Sequence, residues 1–143
     1  MENKINFLFK EAHNIENEEL QSHFINYICI KLSGYIEVNI NIIICKYKDK
    51  SLECTKSIST IQNATWCKIK PMFSLIDLEL TIKLQNEIIK MNIIDILYNL
   101  IKNRNDIAHG KDITILTLSQ LEKDFKEIKL FIQKTKKIFE CLD

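Results

Sequence analysis

With two glycines and one proline in 143 residues, the chain has few of the residues that tight hairpin turns demand. Helices joined by polar loops are the natural alternative to a sandwich or barrel. An excess charge of one sign is missing too: 20 basic residues against 19 acidic ones leave a formal charge of +1, so the molecule as a whole is no electrostatic sponge for nucleic acid. Any affinity for polyanions must be local. The five cysteines, Cys29, Cys45, Cys54, Cys67 and Cys141, are widely separated and form no C-x-x-C pair, which argues against a zinc site or a disulfide framework. Cys29 and Cys45 lie among isoleucines and read as small apolar side chains in a reduced interior, which favours the cytoplasm. The N-terminal run MENKINFLFKEAHNIENEEL lacks a basic-then-apolar leader. The most apolar run, FINYICIKLSGYIEVNINIIIC, is interrupted by Lys31, Glu37 and three asparagines, whereas a spanning helix needs about 20 mostly apolar residues. A soluble chain with no membrane partner is expected. Internal repeats, low-complexity linkers and a glycine-rich phosphate loop are likewise absent from the sequence.

What is present is hydrophobic periodicity. At 46% hydrophobic, 143 residues suffice for one domain with a real core, here taken as 1–143. Leu20, Phe24, Tyr27, Ile28, Leu32, Tyr35, Val38, Ile42 and Cys45 recur at spacings of three and four, which predicts one long helix with this face buried. Ile25, Ile36, Ile40 and Ile43 add a second apolar flank, so the helix is central or packs on a partner chain as well. It is expected to end near Lys46 to Lys50. Between Leu52 and Leu80 two shorter helices are expected, one on either side of Pro71, because proline in a helix interior removes a backbone bond. A fourth helix is expected from about Gln85 to Ala108 and stopped by Gly110, with 112–116 as a connection. Thr117 with Gln120, or Ser119 with Glu122, offers a cap for the last helix, whose core face is Leu121, Phe125, Ile128, Phe131, Ile132, Thr135 and Ile138. The fold class is therefore all-α, an antiparallel bundle of about five helices.

Arginine is the scarcest base: Arg104 is the only one in the chain, and His109 follows five residues later. A guanidinium presents a rigid planar fork that matches two phosphate oxygens, where a lysine is a flexible point charge. An imidazole, with an unperturbed pKa of about 6.5, can take and give a proton near neutral pH. Five helical residues advance about 500°, so the two side chains stand roughly 140° apart and need not meet within one chain. Asn105 and His109, four apart, share a face, and the amide can aim the imidazole.

The run Arg104-Asn105-Asp106-Ile107-Ala108-His109-Gly110 closely resembles the R-N-x-x-A-H-G form of the R-x(4–6)-H signature of the HEPN superfamily. The segment HFINYICIKLSGYIEVNI, with its step from Gly34 to Glu37, is similar to the early helix of the RiboL-PSP-HEPN branch, and the resemblance runs from about Leu20 to Phe139. It implies an all-helical two-fold homodimer whose signature motifs line one cleft, and a metal-independent endoribonuclease without cofactor, of the toxin or antiviral-defence kind. In that reading His109 is the general acid or base, Arg104 clamps the scissile phosphate, and Asn105 is the polar residue after the arginine. The 2′-hydroxyl of RNA attacks its own phosphodiester and leaves a 2′,3′-cyclic phosphate.

Asp106, Glu37 and Ser33 are accessory candidates, each with a plain alternative as a solvated or locally paired side chain. Lys102 and Lys111 flank the motif and could track RNA phosphates, although surface lysines usually do nothing so specific. Lys46, Lys48, Lys50 and Lys56, and Lys134, Lys136 and Lys137, read as solvated faces. Trp66 and Phe73 could stack a base but more simply plug the bundle. His13 and His23 read as ordinary. Other readings stay open at this point: a non-catalytic HEPN module that binds nucleotide or RNA or holds an assembly together, and a helical protein whose activity belongs to a partner such as an antitoxin or a nucleotidyltransferase.

Overall fold

A computed structural model describes residues 1–51, 57–111 and 116–143. Among them are six α-helices and no strand: α1 Glu2–His13, α2 Glu18–Tyr47, α3 Trp66–Ile76, α4 Leu78–Ile88, α5 Ile93–Ala108 and α6 Leu118–Phe139. Helix α1 was not expected from the sequence. Its buried stripe is only Ile5, Phe9 and Ala12, and its N-terminus has no side-chain cap to announce it. The 112–115 part of the expected connection, Cys54 and Lys56 lie outside the described residues.

Helix α2 is central. The Asn17 carboxamide accepts the Leu20 N–H at 2.9 Å and starts it, and it ends at Tyr47 as the loss of pattern predicts. By length and composition alone it is long and apolar enough to cross a membrane; half of its most apolar window is buried inside the fold. The buried side joins one part of the expected face, Ile28, Leu32 and Tyr35, to Ile36, Ile40 and Ile43 of the second flank. Ile28, Leu32, Ile36, Ile40, Ile43 and Ile44 face the core, whereas Tyr27, Val38, Ile42 and Cys45 are exposed. The helix is apolar around much of its circumference, and periodicity cannot say which stripe meets the chain's own core.

Pro71 lies inside α3 rather than between two helices. The missing N–H would have bonded the Cys67 carbonyl; both residues are on the exposed side, where water can replace the lost partner. Buried Trp66, Ile69, Phe73 and Ile76 hold the helix to the core. The break falls instead at extended Asp77, whose carboxylate accepts the Leu80 N–H at 2.9 Å and caps α4. Likewise 85–108 is not one helix: the chain turns at 89–92, so that Ile88 and Ile93 can both be fully buried.

Helix α6 starts at Thr117, whose hydroxyl accepts the Gln120 N–H at 3.1 Å; the Gln120 amide then reaches Asp124 rather than back to the cap. Its phenylalanines form the spine of the core. Phe9 and Tyr35 meet Phe125, Trp66 meets Phe131, and Tyr47 and Phe73 meet Phe139, with centroids 5.0–6.4 Å apart. Trp66 and Phe73 therefore plug the bundle. The pairs Tyr35–Phe125 and Tyr47–Phe139 show that α2 and α6 run in the same sense, contrary to a uniformly antiparallel bundle. Helix α1, with Phe9 on Phe125 and Glu2 on Lys129, runs the opposite way.

Among the described residues four cysteines are free. Cys29 is buried and its thiol is pushed up to about 12, chiefly by burial; Cys45, expected inside, is exposed on the outward stripe of α2.

Candidate functional site at the end of α5

Helix α5 buries Ile93, Ile96, Leu97, Leu100 and Ile101, which leaves its last turn to carry polar groups. Arg104, Asn105 and Asp106 are half-buried there and His109 is exposed. The helix closes in a Schellman turn. Gly110, at φ +70°, sends its N–H to the Ile107 carbonyl at 3.0 Å, and the Lys111 N–H reaches the Asp106 carbonyl at 2.9 Å. Where such turns often carry an apolar contact, Lys111 and Asp106 form an ion pair at 3.6 Å. Asp106 is therefore tied to Lys111 rather than aimed at His109.

A Cβ at residue 110 has open space around it, so the positive φ alone resists substitution there. Gly110→Ala is expected to cost roughly 1–2 kcal/mol, the penalty of a left-handed backbone with a side chain. A urea titration that finds Gly110→Ala as stable as the parent would remove this account of the turn.

The arginine is held. Its Nη1 donates to the Asn63 side-chain oxygen at 3.0 Å and to that of Asn105 at 3.2 Å. Asn105 thus serves Arg104 through its side chain and His109 only through its backbone, where the His109 N–H bonds the Asn105 carbonyl at 3.0 Å. The expected Asn105–imidazole bond is replaced by the bond to the guanidinium. The His109 ring makes no hydrogen bond among the described residues, so within one chain the imidazole and the guanidinium are not joined.

Asn63 was missed in the sequence. It has φ +54°, a left-handed conformation that asparagine tolerates better than most residues. Its backbone N–H donates to the Glu37 carboxylate at 3.0 Å. Two residues earlier, Asn41 brackets Ile61, accepting its N–H at 2.8 Å and donating to its carbonyl at 2.9 Å. Glu37 and Asn41, one helical turn apart on α2, thereby pin the 61–63 segment beside Arg104. The only sequence signal was the Asn63-Ala64-Thr65 run ahead of α3, which is too common to single out.

The remaining candidates are dispersed. Ser33 is buried, and its hydroxyl donates to the Ile30 carbonyl at 2.9 Å. Lys102 lines a groove of about 350 Å³ between α5 and α6, beside Asn99, Asn103 and Gln120, away from the α2 side that Arg104 faces. The larger groove, of about 510 Å³, lies between α1 and α2 and contains none of the motif residues. Among the lysine clusters, Lys46 pairs with Asp143 at 2.9 Å, Lys134 with Glu87 at 3.3 Å, and Lys136 reaches Asn39 at 3.4 Å. His13 pairs with Glu122.

A protein-family model described as RiboL-PSP-HEPN matches residues 45–140, two thirds of the chain. The match includes the whole Arg104–Gly110 run and leaves α1 and nearly all of α2 outside it, so the early-helix likeness around Gly34 and Glu37 lies beyond the matched region. Neither the curated proteins nor the solved structures contain a match.

Proposed function

The chain belongs to the RiboL-PSP-HEPN family of the HEPN superfamily, whose members commonly have ribonuclease activity, and from that premise we propose that it is an endoribonuclease that cleaves RNA without a metal ion. The observation that carries the reading is the end of α5: a solitary guanidinium, fixed through Nη1 by two amide oxygens, and an exposed imidazole five residues on. Holding Nη1 this way leaves the Nε and Nη2 donors to grip the non-bridging oxygens of a phosphodiester. His109 takes the proton of the ribose 2′-hydroxyl or protonates the departing 5′-oxygen; the new bond closes a 2′,3′-cyclic phosphate and the P–O5′ bond breaks.

Because one chain does not join Arg104 to His109, the groove is proposed to form between two copies. The outward side of α2 supports this. Tyr27, Val38 and Ile42 are 44–55% exposed, and Gly34, on the same stripe, has open space where a side chain would stand. A mid-helix glycine costs about 0.5–1 kcal/mol against alanine, and nothing within the chain requires it. The stripe borders Glu37 and Asn41, hence the segment that holds Arg104, so pairing there brings two motifs to one side. A cytoplasmic toxin or defence role, restrained by an antitoxin or similar partner, goes with this reading.

The same separation of Arg104 from His109 favours a second reading for a chain that stays monomeric, an RNA-binding or assembly module that does not cut. The test is incubation with RNA in EDTA followed by end-group analysis. Cyclic-phosphate ends are expected; intact RNA at micromolar dimer overturns the nuclease reading.

A further inference from the structure

Arg104 is reached from α2 through an intermediate that is not part of the motif. The Glu37 carboxylate holds the Asn63 N–H at 3.0 Å, Asn41 holds both backbone groups of Ile61, and the Asn63 amide oxygen holds Arg104 Nη1 at 3.0 Å. The segment is specified at three points by a helix, although it has no regular structure of its own. Asn63 also adopts a positive φ, which is uncommon outside glycine. Strain of this kind persists where the surroundings over-determine it, and here the bond from Glu37 to the same residue's backbone does so.

We propose that Asn63 is a positioning residue that sets the orientation of the Arg104 guanidinium, and that Glu37 acts on the site through the Asn63 backbone rather than by touching RNA. The catalytic part of this inference rests on the ribonuclease reading; the structural part does not. The two hydrogens of Nη1 are divided between Asn63 and Asn105, which fixes the plane of the guanidinium and turns the opposite edge, Nε and Nη2, outward. A rotating guanidinium would meet a phosphate in the bidentate geometry only part of the time. Fixing it in advance removes that ordering cost from the reaction. Half-burial of Arg104 and Asn63 restricts competition from water for the same oxygen.

The variant that isolates the amide is Asn63→Gly, because glycine adopts the positive φ without strain while removing the oxygen. Asn63→Asp keeps an acceptor at the same place and serves as the conservative rescue. Arg104 is the chain's one arginine, so a nitrogen-15 spectrum of arginine side chains contains this residue alone and reads its guanidinium directly. In the parent protein the Nη signals are expected to be resolved by slowed rotation. In Asn63→Gly they should merge, with the backbone amide spectrum otherwise retained, and in Asn63→Asp they should stay resolved. With RNA as substrate, Asn63→Gly should lower kcat about 10- to 100-fold, the scale of a misplaced catalytic group, with KM changed by less than about threefold. Glu37→Ala should reproduce the merged signals although Glu37 makes no bond to Arg104. Unchanged guanidinium signals in folded Asn63→Gly overturn the proposal. Should the parent protein fail to cut RNA, the nuclease reading falls by itself, and the spectra still decide the positioning.

Discussion

Replacing His109 by alanine is expected to lower metal-free RNA cleavage by about 10²- to 10⁴-fold, the range for removing a general acid or base, while the helical domain stays folded. The second half of that expectation comes from the structure. The imidazole is exposed and makes no hydrogen bond among the described residues; what His109 contributes to the α5 terminus is its backbone N–H, bonded to the Asn105 carbonyl. Alanine keeps that bond, so the change in stability should stay within about 0.5 kcal/mol. Activity and melting temperature, measured on one preparation, therefore separate chemistry from folding. RNA carrying one 2′-deoxyribose at the cleaved position should resist the parent protein, since in the proposed reaction the nucleophile comes from the substrate. Cyclic-phosphate ends still produced by folded His109→Ala at the parent rate would take the histidine out of the mechanism.

How much of this was legible in the sequence depends on the distance over which each feature is encoded. The motif is local: seven consecutive residues, with glycine at the one position whose φ is positive, and the Schellman turn follows from that glycine. The start of α6 is local as well, a threonine three residues ahead of a free N–H. The division of the middle of the chain was not legible, because Pro71 marks a break only when its lost bond cannot be hydrated; on the exposed side of α3 it can. The inward face of α2 was legible only in part, Ile28, Leu32 and Tyr35 being inside while Tyr27, Val38, Ile42 and Cys45 are not. Two adjacent apolar stripes on one helix are equivalent to a periodicity argument, and the core takes residues from both, with contacts such as Tyr35 on Phe125 made to a helix about ninety residues away. Asn63 was out of reach altogether. Its role exists only because Glu37, twenty-six residues before it, and Arg104, forty-one after it, converge on it.

That convergence bears on the assembly, and mixing two inactive variants tests it. If a working site takes Arg104 from one copy and His109 from the other, then Arg104→Ala and His109→Ala, each inert alone, should regain activity when refolded together. Half of the randomly paired dimers are mixed, and each mixed dimer holds one intact site of two, so about a quarter of parental activity is expected. A site built inside each chain gives none, because every chain in the mixture lacks one of the two groups. The result can be tied to a surface as well as to a stoichiometry. Val38→Glu places a charge on the outward stripe of α2, away from the core, so the monomer should fold normally while pairing is lost; like charges facing each other across a two-fold axis oppose association. Sedimentation should then report a monomer, and the recovery on mixing should disappear when both partners carry Val38→Glu. A mixture that recovers nothing, from variants shown to pair, would place each active site within a single chain and leave the separation of Arg104 from His109 without its present explanation.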